Sequence, residues 1–125
     1  MELKEDLKVI RTPTVFFIRL PNNKKAYLAY RTNNDVLELI ETYTPPEYRG
    51  KGIAGLMIRE AIKFAKENKL KIRPICSYAI YYFKKYQDLR DVLVDELKTL
   101  DESEWDKLFN ERLKAEKEKK RKNVT

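Results

Sequence analysis

The sequence predicts an α+β domain in which a mixed, mostly antiparallel sheet is flanked by helices and followed by a C-terminal helical extension. Three observations predict it. Residues 15–44 hold runs of β-branched and aromatic residues punctuated by Pro, Asn and Asp, residues 53–68 carry a helical apolar period, and Trp105, Leu108, Phe109 and Leu113 continue that period towards the C-terminus.

Val15 to Leu20 and Ala26 to Tyr30 read as the arms of a hairpin joined by Pro21-Asn22-Asn23-Lys24-Lys25. Asn33-Asn34-Asp35 then turns the chain into a third antiparallel strand over 36–44. Pro45-Pro46 ends that strand, because proline has no N–H for a ladder and restricts the residue before it. From Ile53 the residues Leu56, Ile58, Ala61, Ile62 and Ala65 fall on one helical face, with Asn68 as the left-handed residue that stops the helix. The short apolar segment 71–76 follows as a strand parallel to its predecessor, since strand, helix and strand make a crossover. Tyr78, Tyr82 and Tyr86 lie four apart and predict another helix. Residues 88–100 and 102–122 read as two more helices, with Asp101 as N-cap between them. No repeat or linker interrupts the chain, so residues 1–100 form one domain and 101–125 a basic extension that docks or pairs with a second copy to make a homodimer.

Composition narrows the function. At 125 residues, 42% apolar and 38% charged, the chain is one globular domain's worth. It contains no histidine and one cysteine, which excludes a His-centred triad, a HExxH metalloprotease, a thiolate metal cluster and any intrachain disulfide. No metal is expected. A single free thiol suits the cytoplasm, and neither a signal-peptide core nor the roughly 18 apolar residues of a membrane span is present. The net charge of +7 is unevenly spread: residues 112–125 hold seven basic and two acidic residues and so account for +5 of it. A near-neutral body with a basic end argues for a helical tail more than for a nucleic-acid fold.

All three glycines, Gly50, Gly52 and Gly55, fall between the third strand and the helix that follows. Glycine lets backbone approach a ligand, and a loop entering a helix N-terminus offers unpaired amides and a positive dipole end, a combination that binds phosphate. Arg49 and Lys51 reinforce it. A tight turn packed against the sheet would use the same glycines. Neither GxxxxGK[ST] nor GxGxxG with a later acidic residue is present, so nucleotide hydrolysis and dinucleotide binding lose support.

Arg49-Gly50-Lys51-Gly52-Ile53-Ala54 matches the R/Q-x-x-G-x-G/A signature, and with Pro45-Pro46 before it and Pro74-Ile75-Cys76-Ser77-Tyr78 after it the chain resembles the small single-domain members of the GNAT superfamily of N-acetyltransferases over residues 13–94. The resemblance implies that Thr44, Arg49, Gly50, Lys51, Gly52, Ile53 and Ala54 hold the pyrophosphate of acetyl-CoA, which donates its acetyl group directly to an amine acceptor. It implies an oxyanion donor in the backbone near Tyr43 and Thr44, and Tyr82 as the acid beside the departing sulfur. Many relatives carry a histidine on the strand before the diproline; Glu41 stands there in this chain and is the implied base. Cys76 occupies the relatives' cysteine position, lining the sulfur pocket or accepting the acetyl group.

The residues themselves allow plainer readings. Glu38 and Glu41 differ by an odd number, so on a regular strand they face opposite sides and only one looks into the cleft. Glu41 reads equally well as a solvated charge; the tyrosine stripe suits packing, and a lone cysteine is commonly a small buried hydrophobe. Two alternatives to the enzyme therefore stand: a module that binds acyl-CoA without turnover, and a basic-tailed protein that binds nucleic acid or another subunit.

Overall fold

A computed structural model describes residues 7–124, with side chains described as far as Lys120. Five strands form one sheet in the order β1-β2-β3-β4-β5. They are β1 (Ile10–Arg11), β2 (Val15–Leu20), β3 (Lys24–Asn33), β4 (Val36–Tyr43) and β5 (Lys71–Pro74). The first four are antiparallel neighbours and β5 runs parallel to β4. The sheet is therefore mixed and mostly antiparallel, as expected.

Alternation sets its two faces. Phe16, Ile18 and Leu20 of β2, Ala26, Leu28 and Tyr30 of β3, and Leu37 and Leu39 of β4 are buried on one face. Helix α1 (Ile53–Glu67) lays Ile53, Met57, Ile58, Ala61, Ile62 and Ala65 on it. Phe64 closes the far end, its ring 6.0 Å from Phe16 and 6.2 Å from Tyr30. Strand β3 is longer than the apolar run 26–30, because its ends carry the exposed Lys24, Lys25 and Arg31 that pattern alone reads as loop. Asn22, Asn23 and Asn34 take the left-handed turn positions (φ 65°, 61° and 57°) that asparagine tolerates.

Helix α1 ends within a residue of the expected position, but the left-handed residue that closes it falls one place later. Asn68 has φ −107° and Lys69 takes the left-handed position at φ 57°, so the amide of Leu70 donates to Ala65 O at 2.8 Å and that of Lys69 to Lys66 O at 3.4 Å. This Schellman closure leaves Asn68 as the cap, its side-chain amide donating to Phe64 O.

Past β5, helix α2 (Ser77–Lys85) carries the tyrosines. The continuous helix expected over 88–100 is instead broken into a 3-10 turn (Gln87–Val92) and the short α3 (Asp95–Lys98). Leu93 and Val94 are extended between them: Leu93 bridges Ile72 and the Val94 amide donates to Ile72 O at 3.0 Å. Pairing with the edge of β5 outweighs the helical spacing of Leu89, Val92, Leu93 and Leu97.

Helix α4 (Glu102–Val124) opens on a capping box, in which the Glu104 amide donates to Asp101 Oδ1 at 2.8 Å and the Asp101 amide to Glu104 Oε1 at 2.9 Å. Trp105 is fully buried in the core shared with residues 16–97, with the Arg90 guanidinium 4.5 Å over its ring. The helix runs antiparallel along α2: Arg90–Glu102 and Lys84–Asp106 pair at one end, and Glu116 meets Ser77 at the other. Among the described residues no helix is long and apolar enough to cross a membrane.

Candidate active site

Strands β4 and β5 pair from Val36↔Lys71 to Leu39↔Pro74 and then part. The amides of Ile75 and Cys76 both donate to Leu39 O, at 2.9 and 3.1 Å, which pins the chain at the fork. Beyond it, residues 40–43 of β4 continue along β3 alone. A cleft of about 680 Å³ opens there, walled by the end of β4, the glycine loop, the first two turns of α1 and the tyrosines of α2.

Two left-handed glycines set the path of the loop. Gly50 and Gly52 have φ +77° and +80°, which a side chain would strain, and a Cβ added at either would meet no atom within 4 Å. Gly52 is the N-terminal cap of α1 and provides no side-chain hydrogen bond to the amides of its first turn. Those amides and the positive dipole end therefore face the cleft. Arg49 donates from Nε to Thr44 O at 2.8 Å, stapling the loop to the end of β4.

Tyr82 is 3% exposed and its hydroxyl accepts a bond from Arg59 Nε at 2.7 Å. That bond, first among its surroundings, holds the Arg59 guanidinium protonated more firmly than usual. Tyr86 stacks on Tyr82 at 4.6 Å between ring centres. Tyr78 is half-buried, and burial, with lesser contributions from the neighbouring tyrosines, pushes its phenol up to about 12. Arg59 was not legible in sequence: it is one cation on a helix surface, and only the fold brings it to α2.

Cys76 is 4% exposed at the fork, its sulfur 3.1 Å from Thr42 Oγ1. Burial raises its pKa, and the Thr42 hydroxyl and the Ala79 amide oppose that rise. Thr44, Arg49, Gly50, Gly52, Ile53, Ala54 and Tyr82 line one cleft, whereas Lys51, Cys76 and Glu41 lie outside its lining.

The expectation that Glu38 and Glu41 face opposite sides fails on a β-bulge. Tyr30 pairs with Leu39 and Ala29 with Glu41, so Ile40 is an extra residue on β4. The insertion reverses the alternation, placing Thr42 on the face of Leu28 and both glutamates on the other. Tyr27 donates to Glu41 Oε2 at 3.2 Å and Arg31 Nε to Glu38 Oε1 at 2.6 Å, and Tyr27 and Arg31 share one side of β3. Glu38 is thus engaged by a cation, while Glu41, exposed, receives a phenol.

Residues 15–92 match the model of the GCN5-related N-acetyl-transferases, and the chain belongs to that family. It is also similar to the solution structure of a GCN5-like candidate N-acetyltransferase from Staphylococcus aureus. The two are 25% identical, with a TM-score of 0.56 over 73% of this chain and 91% of the other.

Proposed function

We propose that this chain transfers an acetyl group from acetyl-CoA directly to an amine. The observation that carries the reading is the pair of left-handed glycines opening an uncapped helix N-terminus onto the tyrosine-walled cleft. The pyrophosphate would lie on the amides from Gly50 to Ala54, with Thr44, Arg49 and Lys51 at its margin, and the thioester would point to the fork beside Cys76.

The amine would approach from the open sheet face, and Glu41 on that face would take its proton. Its nitrogen forms a bond to the carbonyl carbon while a backbone amide near Tyr43 and Thr44 supports the oxyanion. As the C–S bond breaks, the thiolate takes the Tyr82 proton. Arg59 then faces the phenolate oxygen, a charge-assisted bond that strengthens as the negative charge develops. Proton exchange with solvent returns Tyr82 and Glu41 to their starting states. Cys76 would back the sulfur pocket through Thr42, which lines the cleft 3.1 Å from its sulfur; its raised pKa and burial suit packing better than attack.

A thermal-shift titration with acetyl-CoA followed by a thiol-release assay over an amine panel tests the reading. A donor at 100 times its Kd stabilises the fold by about 2.7 kcal/mol. Gly52→Val should cost roughly 1–2 kcal/mol of backbone strain and abolish most of that shift. A folded Gly52→Val variant that keeps the full shift would overturn the phosphate loop, and binding without thiol release from any amine would leave an acyl-CoA-binding module.

A further inference from the structure

The fork that holds Cys76 is braced from the C-terminal helix. Glu116 Oε2 accepts the Ser77 amide at 2.8 Å and its Oε1 accepts the Ser77 hydroxyl at 2.5 Å, and Arg112 Nε donates back to Glu116 at 3.2 Å. Ser77 is the first residue of α2 and Cys76 its N-terminal cap, which supplies no side-chain cap bond. A carboxylate 39 residues further along the chain therefore satisfies the first amide of α2 and places negative charge at its positive end. On the strand side the same corner is held by the bonds of Ile75 and Cys76 to Leu39 O. Glu116 lies outside residues 15–92, the span that matches the family.

We infer that Glu116 is a positioning residue of the site: by bonding Ser77 it fixes the corner that holds Cys76 and from which the α2 tyrosines are presented to the cleft. The groups facing the thiol are the Thr42 hydroxyl from β4, the Ala79 amide from α2, and Glu116 and Arg112 from α4. Of the two charges, the carboxylate holds the thiol protonated and the guanidinium opposes it. Neutralising Glu116 removes the first and frees the second, so the thiol becomes easier to ionise. A tether with no bearing on the site would alter stability and leave the thiol's titration in place.

Cys76 is the one thiol in the chain, so iodoacetamide alkylation followed by intact mass from pH 7 to 11.5 reads it directly. In the full-length protein, Glu116→Gln should lower the midpoint of that profile and speed alkylation at pH 8 by about twofold or more. Glu118→Gln makes the same charge change at an exposed position of the helix and should reproduce the parent profile. Ser77→Ala keeps the charge and removes one bond; it should speed alkylation with the midpoint held. A Glu116→Gln profile that matches the parent in both rate and midpoint overturns the inference. Should Glu116→Gln fail to fold, parent-like alkylation of Ser77→Ala overturns it. Its consequence for turnover, a lower kcat at constant KM for acetyl-CoA in Glu116→Gln, rests on the acetyl-transfer reading. Absence of thiol release in the parent would sink that reading while the alkylation result stands.

Discussion

Tyr78 shows how a single side chain ties the cleft to stability. Its phenol keeps its proton to about pH 12 in the fold, against an ordinary value of 10.0. Between those values the unfolded chain sheds the proton first, so folding stability contributed by this group is intact below pH 10 and is lost as pH rises towards 12. The advantage of the parent over Tyr78→Phe should therefore shrink across that window, by less than the 1.4 kcal/mol per unit of a fully buried group because Tyr78 is half exposed. Urea unfolding of both proteins at pH 9 and pH 11.5 checks it; a constant difference would contradict the burial described. At this scale the sequence is legible where chemistry demands a rare residue type. Three glycines in six positions announce the loop, and the lone cysteine announces itself. Arg59 and Glu116 carry no such mark, because each is one charge among many on a helix surface, and their partners Tyr82 and Ser77 are 23 and 39 residues away.

Among the elements, α1 joins loop to core and its third residue, Gly55, differs from the two glycines before it. Its φ is helical, and an added Cβ would meet Tyr82 Cε1 at 3.6 Å and Tyr78 Oη at 3.8 Å, ordinary contact distances. Gly55→Ala should thus gain the roughly 0.5–1 kcal/mol that alanine gains over glycine in a helix, raising Tm by a few degrees while the acetyl-CoA shift persists. A lower Tm would mean that the tyrosines press on the helix more closely than those distances allow. Strands and helices whose apolar period is local were readable, as 15–20, 36–43 and 53–67 show. The bulge at Ile40 was not, since a β-branched residue between Leu39 and Glu41 fits a regular strand equally well, and only the pairing with Ala29 and Tyr30 reveals the extra residue. The break at Leu93–Val94 was hidden for a related reason: its cause is Ile72, on an edge that exists only after the sheet has formed.

For the molecule as a whole, Trp105 decides whether α4 is an appendage or part of the folding unit. It is the one tryptophan, fully buried and roofed by Arg90. Trp105→Ala should cost about 3–5 kcal/mol, and the parent should lose tryptophan fluorescence and far-ultraviolet circular dichroism at one denaturant midpoint. Separate midpoints would make α4 an independent module. The bond between Glu116 and Ser77 also imposes a timetable on synthesis. At about 5–20 residues per second, roughly 2–8 s pass between translation of Ser77 and of the glutamate 39 positions later. Throughout that interval the corner at Cys76 waits for a partner still unmade. A chain released at residue 111, before the glutamate is added, would thus carry a thiol more open to oxidants than the chain that continues past residue 116.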